Sequence, residues 1–170
     1  NGTTRDQVYA IEVVTPTGEI TTLGGKLKKS STGYPLEQMV MGSEGTLGII
    51  TKVTLKLLPL PEHVMDLLLV FPDIDLAIGA IPKLVKAGIS PTCVEFMDND
   101  AIRSVEAFTQ ERLPHDENGN YLIIQVEGSS DEDLEDKAVI VDEVGMGNGA
   151  IAVLVPDSQK IWKARKCFAE

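Results

Sequence analysis

The chain has 170 residues, 43% of them hydrophobic and 24% charged, which is enough apolar material to bury a core and argues against wholesale disorder. Fifteen Lys and Arg against 26 Asp and Glu give a formal charge of −11. That field repels a phosphate backbone and anionic headgroups alike, so nucleic acid is excluded as a partner class. No apolar run approaches the roughly 20 residues of a spanning helix, and residues 1–6 read neither as a signal peptide nor as a transit peptide. The absence of an initial Met and a helix-like pattern running to Glu170 lead us to expect an internal fragment of a longer protein.

In chain order, two β-prone stretches, 8–14 and 19–23, flank Thr15-Pro16-Thr17-Gly18, in which proline presets one backbone angle and glycine accepts a positive one, so a hairpin is expected. Residues 24–34 are rich in Gly, Lys, Ser and Thr and read as an exposed loop. Leu36, Met39 and Val40 at helical spacing behind Pro35 predict a short helix over 35–41. After Gly42, Gly45 and Gly48 a β-branched run predicts a strand over 49–57, and Pro59 and Pro61 can continue neither ladder nor helix. A domain boundary is placed there, with domains over 1–61 and 62–170.

Beyond it, strands are expected at 65–71, 91–97, 121–127 and 150–155. Helices alternate with them at 73–87, 98–113, 131–144 and 158–170, with Asp73 and Asp98 as N-caps, Gly88 closing the first, and Gly145 and Gly147 ending the third. This βα alternation in about a hundred residues predicts an α+β fold: a ferredoxin-like sandwich with its helices on one sheet face.

Several residue types invite chemistry. On spacing alone, Gly42, Gly45 and Gly48 fit either a helix C-cap with a bulge or a stretch of bare backbone against a cofactor; the pattern is not the GxGxxG of a dinucleotide fold. Arg165 carries a fixed charge that can grip a carboxylate through paired hydrogen bonds, and it also fits a solvated helix face beside Lys160, Lys163 and Lys166. His63 and His115 lie in boundary and loop text and read as surface groups. Trp162 reads as core. Cys93 and Cys167, far apart with no CxxC spacing, read as ordinary buried or half-buried thiols. The acids at 116–117 and 131–136 lack the ligand alternation of an EF-hand, and no metal site is assigned.

As a whole string, GYPLEQMVMGSEGTLGIITKVTLKLLPLPE, residues 33–62, resembles the end of the flavin domain in FAD-linked oxidases of the glycolate oxidase and D-lactate dehydrogenase group, which are vanillyl-alcohol-oxidase-type flavoproteins. Residues 1–20 resemble the preceding family segment, and EFMD at 95–98 and IWKAR at 161–165 resemble landmarks of the family's C-terminal domain. The resemblance implies the end of a PCMH-type flavin-binding domain over 1–61, followed by an incomplete substrate domain. It implies FAD as cofactor, with Gly2, Thr3, Thr4, Glu44, Gly45, Gly48, Ile49 and Ile50 beside it, and Arg165 on the carboxylate of a small 2-hydroxy acid that is oxidised to a 2-oxo acid.

It further implies an electron-transfer or iron–sulfur partner protein and a cytoplasmic location, peripheral to the membrane through a complex. Ser30 and Pro35 depart from the family pattern. The family's pyrophosphate-binding loop is expected upstream and its metal-gathering histidines downstream, so this piece alone is expected not to turn over. A ferredoxin-like module that binds a small ligand or mediates assembly is the rival reading, since that sandwich hosts many functions.

Overall fold

The computed structural model describes residues 2–27, 29, 31–114, 117 and 119–167. The chain divides into two compact units, Asn1–Leu60 and Pro61–Glu170.

The first unit opens with a 3-10 turn, Thr4–Gln7, and continues into strand β1, Val8–Val14, and strand β2, Ile20–Gly24. The Thr15 carbonyl accepts from the Gly18 amide, and the Thr15 amide donates to the Glu19 carbonyl, closing the expected hairpin. Helix α1, Leu36–Val40, precedes strand β3, Ile49–Leu55, which ends two residues before the alternating pattern does. The antiparallel sheet has the order β2-β1-β3, with irregularities in the β1–β3 register at Val8/Ala10 and Glu12/Val13. Val8, Ile11 and Val13 form its small core under Leu23, Val40 and Met41.

The second unit alternates strand and helix throughout: β4 His63–Phe71, α2 Ile74–Lys86, β5 Cys93–Met97, α3 Asn99–Thr109, β6 Asn120–Gly128, α4 Asp131–Gly147, β7 Ala152–Leu154 and α5 Ser158–Cys167. The four strands form one antiparallel sheet in the order β5-β6-β4-β7, the strand order of a ferredoxin-like sandwich with α3 added between its second and third strands and α5 after its fourth. The α+β class holds.

The helices do not share one face. Leu67, Leu69, Phe71, Leu122, Ile124 and Val126 pack under α2 and α4, while Leu68, Val70, Tyr121, Ile123 and Met97 pack under α3 and α5. A strand covered on both faces has no polar side to show, so Leu67–Phe71 and Tyr121–Ile124 run apolar without alternation.

Caps follow the local chemistry. Asp73 accepts from the Asp75 and Leu76 amides, and Asp98 from the Ala101 amide, each satisfying donors that a helix start leaves unpaired. Two helix ends differ from the expectation. Helix α3 stops at Thr109 because Gln110 turns left-handed (φ 58°), and the chain then folds back until the Leu113 amide meets Glu106 Oε1 at 2.5 Å. Helix α4, capped by Ser130, runs through Gly145 to Gly147. Gly145 is buried, and a Cβ there would stand 2.9 Å from Leu69 Cδ2 and 3.1 Å from Val153 Cγ2. Its role is close helix-to-sheet approach rather than termination.

Candidate functional site

The sheet face under α3 and α5 changes character along its strands. In one transverse row Tyr121 stands between Met97 and Val70, and in the next Ile123 stands between Glu95 and Leu68. In the third row Gln125 pairs with Cys93 on one side and with Asp66 on the other. Strand parity carries all of these residues to one face, so the apolar floor of Leu68, Val70, Ile123 and Tyr121 gives way to a polar end made of Asp66, Gln125, Cys93 and Glu95. Helix α5 crosses that end with Trp162 and Arg165, three residues apart and therefore neighbours on the helix surface.

Asp66 is only 6% exposed. A buried carboxylate is tolerated when donors fill it, and here Gln125 Nε2 donates to Oδ1 at 2.9 Å while the Trp162 indole donates to Oδ2 at 2.9 Å. Trp162 is half-buried, its ring packed against the apolar cluster and its N–H tied to the sheet, so it is core with a polar anchor. Beside it, Glu95 Oε2 accepts from Arg165 Nε at 2.9 Å and from Arg165 Nη2 at 2.8 Å, and Glu95 Oε1 accepts from the Cys93 thiol at 3.9 Å. Each of the four carboxylate oxygens thus already accepts a donor. Burial, and then the nearby Glu95 and Asp66 carboxylates, push the Cys93 thiol up from its ordinary range.

Arg165 is therefore not the freely solvated arginine that its lysine-rich helix allows: its side chain is 27% exposed and ion-paired. Lys160 and Lys163 on the same helix turn instead to Glu111. Reasoning from sequence missed Asp66, Glu95 and Gln125 as members of this group. The signal available was a single carboxylate interrupting the apolar run Val64-Met65-Asp66-Leu67-Leu68, since an acid inside a buried strand needs a partner. His63 opens β4 rather than lying in a linker, and its Nδ1 meets Asp131 Oδ1 at 2.8 Å at the start of α4. His115 and Ser30 lie outside the described residues. Cys93 and Cys167 are free and half-buried.

In the first unit, the residues from Gly42 to Ile50 lie mostly at the surface. Among the described residues, internal bonds of this turn run from the Ser43 amide to the Val40 carbonyl and from the Thr46 amide to the Ser43 carbonyl. Glu44 (φ 52°) and Gly45 (φ 81°) both turn left-handed, and among the described residues a Cβ on Gly45 would meet nothing within 4 Å. Gly48 is the tight point: a Cβ there would stand 2.6 Å from Val13 Cγ1 and 2.9 Å from the Val14 carbonyl. Ile49 and Ile50 follow, exposed to 67% and 38%. Gly2 and Thr4 are exposed, and the Thr3 amide and hydroxyl donate to Asp6 Oδ2 at 2.7 and 2.9 Å, holding that carboxyl below the usual range.

Among the described residues, no group of three or more His, Cys, Asp or Glu is placed to hold a metal, and no helix is long and apolar enough to cross a membrane. The model of the FAD linked oxidases, C-terminal domain, matches residues 60–170. The chain belongs to that family. It is 40% identical to a D-lactate dehydrogenase of Anaerostipes hadrus over 99% of its own length and 38% of the relative's. It is 33% identical to the glycolate oxidase subunit GlcD of Escherichia coli over 97% of this chain and 33% of that one.

The chain thus spans about a third of the length of these curated relatives. Among solved structures, p-cresol methylhydroxylase with substrate bound matches with a TM-score of 0.68 at 19% identity, over 94% of this chain and 37% of that one. An alkyldihydroxyacetonephosphate synthase matches at 0.67 and 24%, over 97% and 32%. These two likenesses concern the fold.

Proposed function

We propose that the full-length protein is an FAD-dependent oxidoreductase that converts a 2-hydroxy acid of the glycolate or D-lactate type to the 2-oxo acid, with Arg165 holding the substrate's carboxylate. The observation that carries this reading is the guanidinium at the polar end of the sheet. Its charge is fixed at any working pH, Glu95 engages its Nε and Nη2, and Nη1 has no hydrogen bond among the described residues. A carboxylate meeting that free edge would gain charge-assisted hydrogen bonds. The names of the relatives, D-lactate dehydrogenase and glycolate oxidase, agree with such a ligand.

Residues 1–61 are read as the C-terminal part of the flavin-binding domain. The open, left-handed turn at Glu44 and Gly45 suits a flat or phosphorylated group that must approach the main chain. Gly2, Thr3, Thr4, Glu44, Gly45, Gly48, Ile49 and Ile50 would hold FAD there. When bound, FAD supplies a hydride acceptor for the C2 carbon of the hydroxy acid. The work of this chain is to bind and orient: Arg165 fixes the carboxylate end of the substrate, and the exposed backbone of 44–50 supports the cofactor. An electron-transfer or iron–sulfur partner protein would then reoxidise the enzyme.

The test uses the full-length protein. It should purify with a visible flavin band that D-lactate or glycolate bleaches in the absence of oxygen. Arg165→Ala should raise KM for the hydroxy acid roughly tenfold to a hundredfold, as expected for one lost charge-assisted contact of about 1.5–3 kcal/mol. A protein that never retains flavin, or a flavin that neither acid reduces, overturns the reading.

A further inference from the structure

We propose that Glu95 is a positioning residue for substrate binding: it locks the Arg165 guanidinium by one edge so that the opposite edge is presented to the ligand. The inference rests on the reading that Arg165 takes the substrate's carboxylate, and it goes further by assigning the fixing of that arginine to a residue on a different element.

An arginine side chain is long and loses considerable rotamer freedom when it is fixed. A ligand that must itself order the side chain binds correspondingly more weakly, whereas a preordered one does not impose that cost. Glu95 Oε2 takes two donors of the same guanidinium, Nε at 2.9 Å and Nη2 at 2.8 Å, which holds that edge of the group in place at two points. The acceptor is itself fixed, because Glu95 projects from β5 and its other oxygen receives the Cys93 thiol at 3.9 Å.

The helix that carries Arg165 is anchored to the same sheet one turn earlier, by the Trp162 indole on the buried Asp66 carboxylate. Glu95 and Asp66 are the carboxylates and Cys93 the thiol in this group, while Lys160 and Lys163 of α5 are engaged with Glu111. Two fastenings, one on the helix and one on the guanidinium, leave Nη1 as the free donor among the described residues.

The experiment is a double-mutant cycle in the full-length flavoenzyme, with D-lactate and glycolate as substrates, reading KM and kcat separately. Glu95→Ala is expected to raise KM roughly tenfold while kcat stays within about twofold, the signature of weakened ground-state binding with chemistry intact. Glu95→Gln keeps an acceptor oxygen on Arg165 and should hold KM within about threefold of the parent. In Glu95→Ala/Arg165→Ala the KM should be no higher than in Arg165→Ala alone, because both changes remove the same contact.

If Arg165→Ala raises KM while Glu95→Ala leaves it unchanged, or if the two effects multiply in the double variant, the positioning role is overturned and Arg165 keeps its place. If Arg165→Ala leaves KM unchanged, the substrate-side reading itself falls, and the role of Glu95 with it. Should Glu95→Ala not yield soluble flavoprotein, Glu95→Gln and Glu95→Asp decide the matter: the shorter Asp should raise KM more than Gln, and equal KM values for both variants and the parent overturn the proposal.

Discussion

At the scale of single residues, the polar end of the sheet couples burial to charge. Asp66 accepts from Trp162 and Gln125 in a place almost without water, so Asp66→Ala would leave an indole N–H and an amide without their acceptor. A loss of about 1–3 kcal/mol is expected from each such orphaned group, read as a lower urea midpoint. Trp162 is the single tryptophan of the chain, so its emission should also shift to the red as α5 loosens.

A second prediction concerns acid. The Ser129 amide donates to Asp133 Oδ2 at 2.8 Å and Lys137 Nζ at 3.0 Å, and these bonds hold the Asp133 carboxyl below its usual range. A carboxyl depressed in the folded state binds its proton later than in the unfolded chain. Its contribution is therefore complete above the ordinary aspartate value of about 3.9 and is lost as pH falls through the lower folded value. Asp133→Asn should flatten the acid arm of a stability-against-pH curve without changing its neutral plateau slope. Cys93 runs the other way: burial, and then the nearby Glu95 and Asp66 carboxylates, disfavour its thiolate, so it should alkylate with iodoacetamide more slowly than an exposed thiol at the same pH.

At the scale of elements, the caps and the tight glycine set the predictions. Asp98 supplies a side-chain acceptor to α3 through the Ala101 amide at 2.7 Å. Asp98→Ala should cost about 1 kcal/mol, measured by urea unfolding, because a helix start left without its acceptor must bond to water instead. Gly48→Ala puts a methyl group into Val13 and the Val14 carbonyl, and backbone cannot give way as a flexible side chain can. The entry to β3 should be displaced, lowering the melting temperature and, on the reading above, the flavin content of the full-length protein.

At the scale of the whole molecule, the chain divides between Leu60 and Pro61, and the segment joining the two units offers exposed backbone around Leu57 and Leu58, which are 88% and 57% exposed. Limited chymotrypsin digestion should cut this segment after Leu57, since Leu58 and Leu60 are each followed by a proline that blocks cleavage, and release the second unit intact, with mass spectrometry locating the cut. Cuts appearing first inside β4 or β6 would contradict the division. The two units also differ in how their sheets are covered: the second closes both faces with helices, while the first leaves Ile49, Val53 and Leu55 of β3 about half exposed or more.

The sequence by itself determined the alternation of strands and helices, the hairpin, the two aspartate caps and the α+β class, because these follow from periodicity, from side-chain acceptors at helix starts and from turn residues, all local along the chain. It also offered Arg165 as a candidate, since a guanidinium in that pattern is visible as a residue type. Only the tertiary structure decided that helices cover both sheet faces, that Gly145 serves close packing instead of ending a helix, and that Arg165 pairs with Glu95 while Trp162 rests on Asp66. The reason is sequence distance: Glu95 and Arg165 are separated by 70 positions and Asp66 and Trp162 by 96, and only the pairing register of β4, β5 and β6 under α5 brings them together.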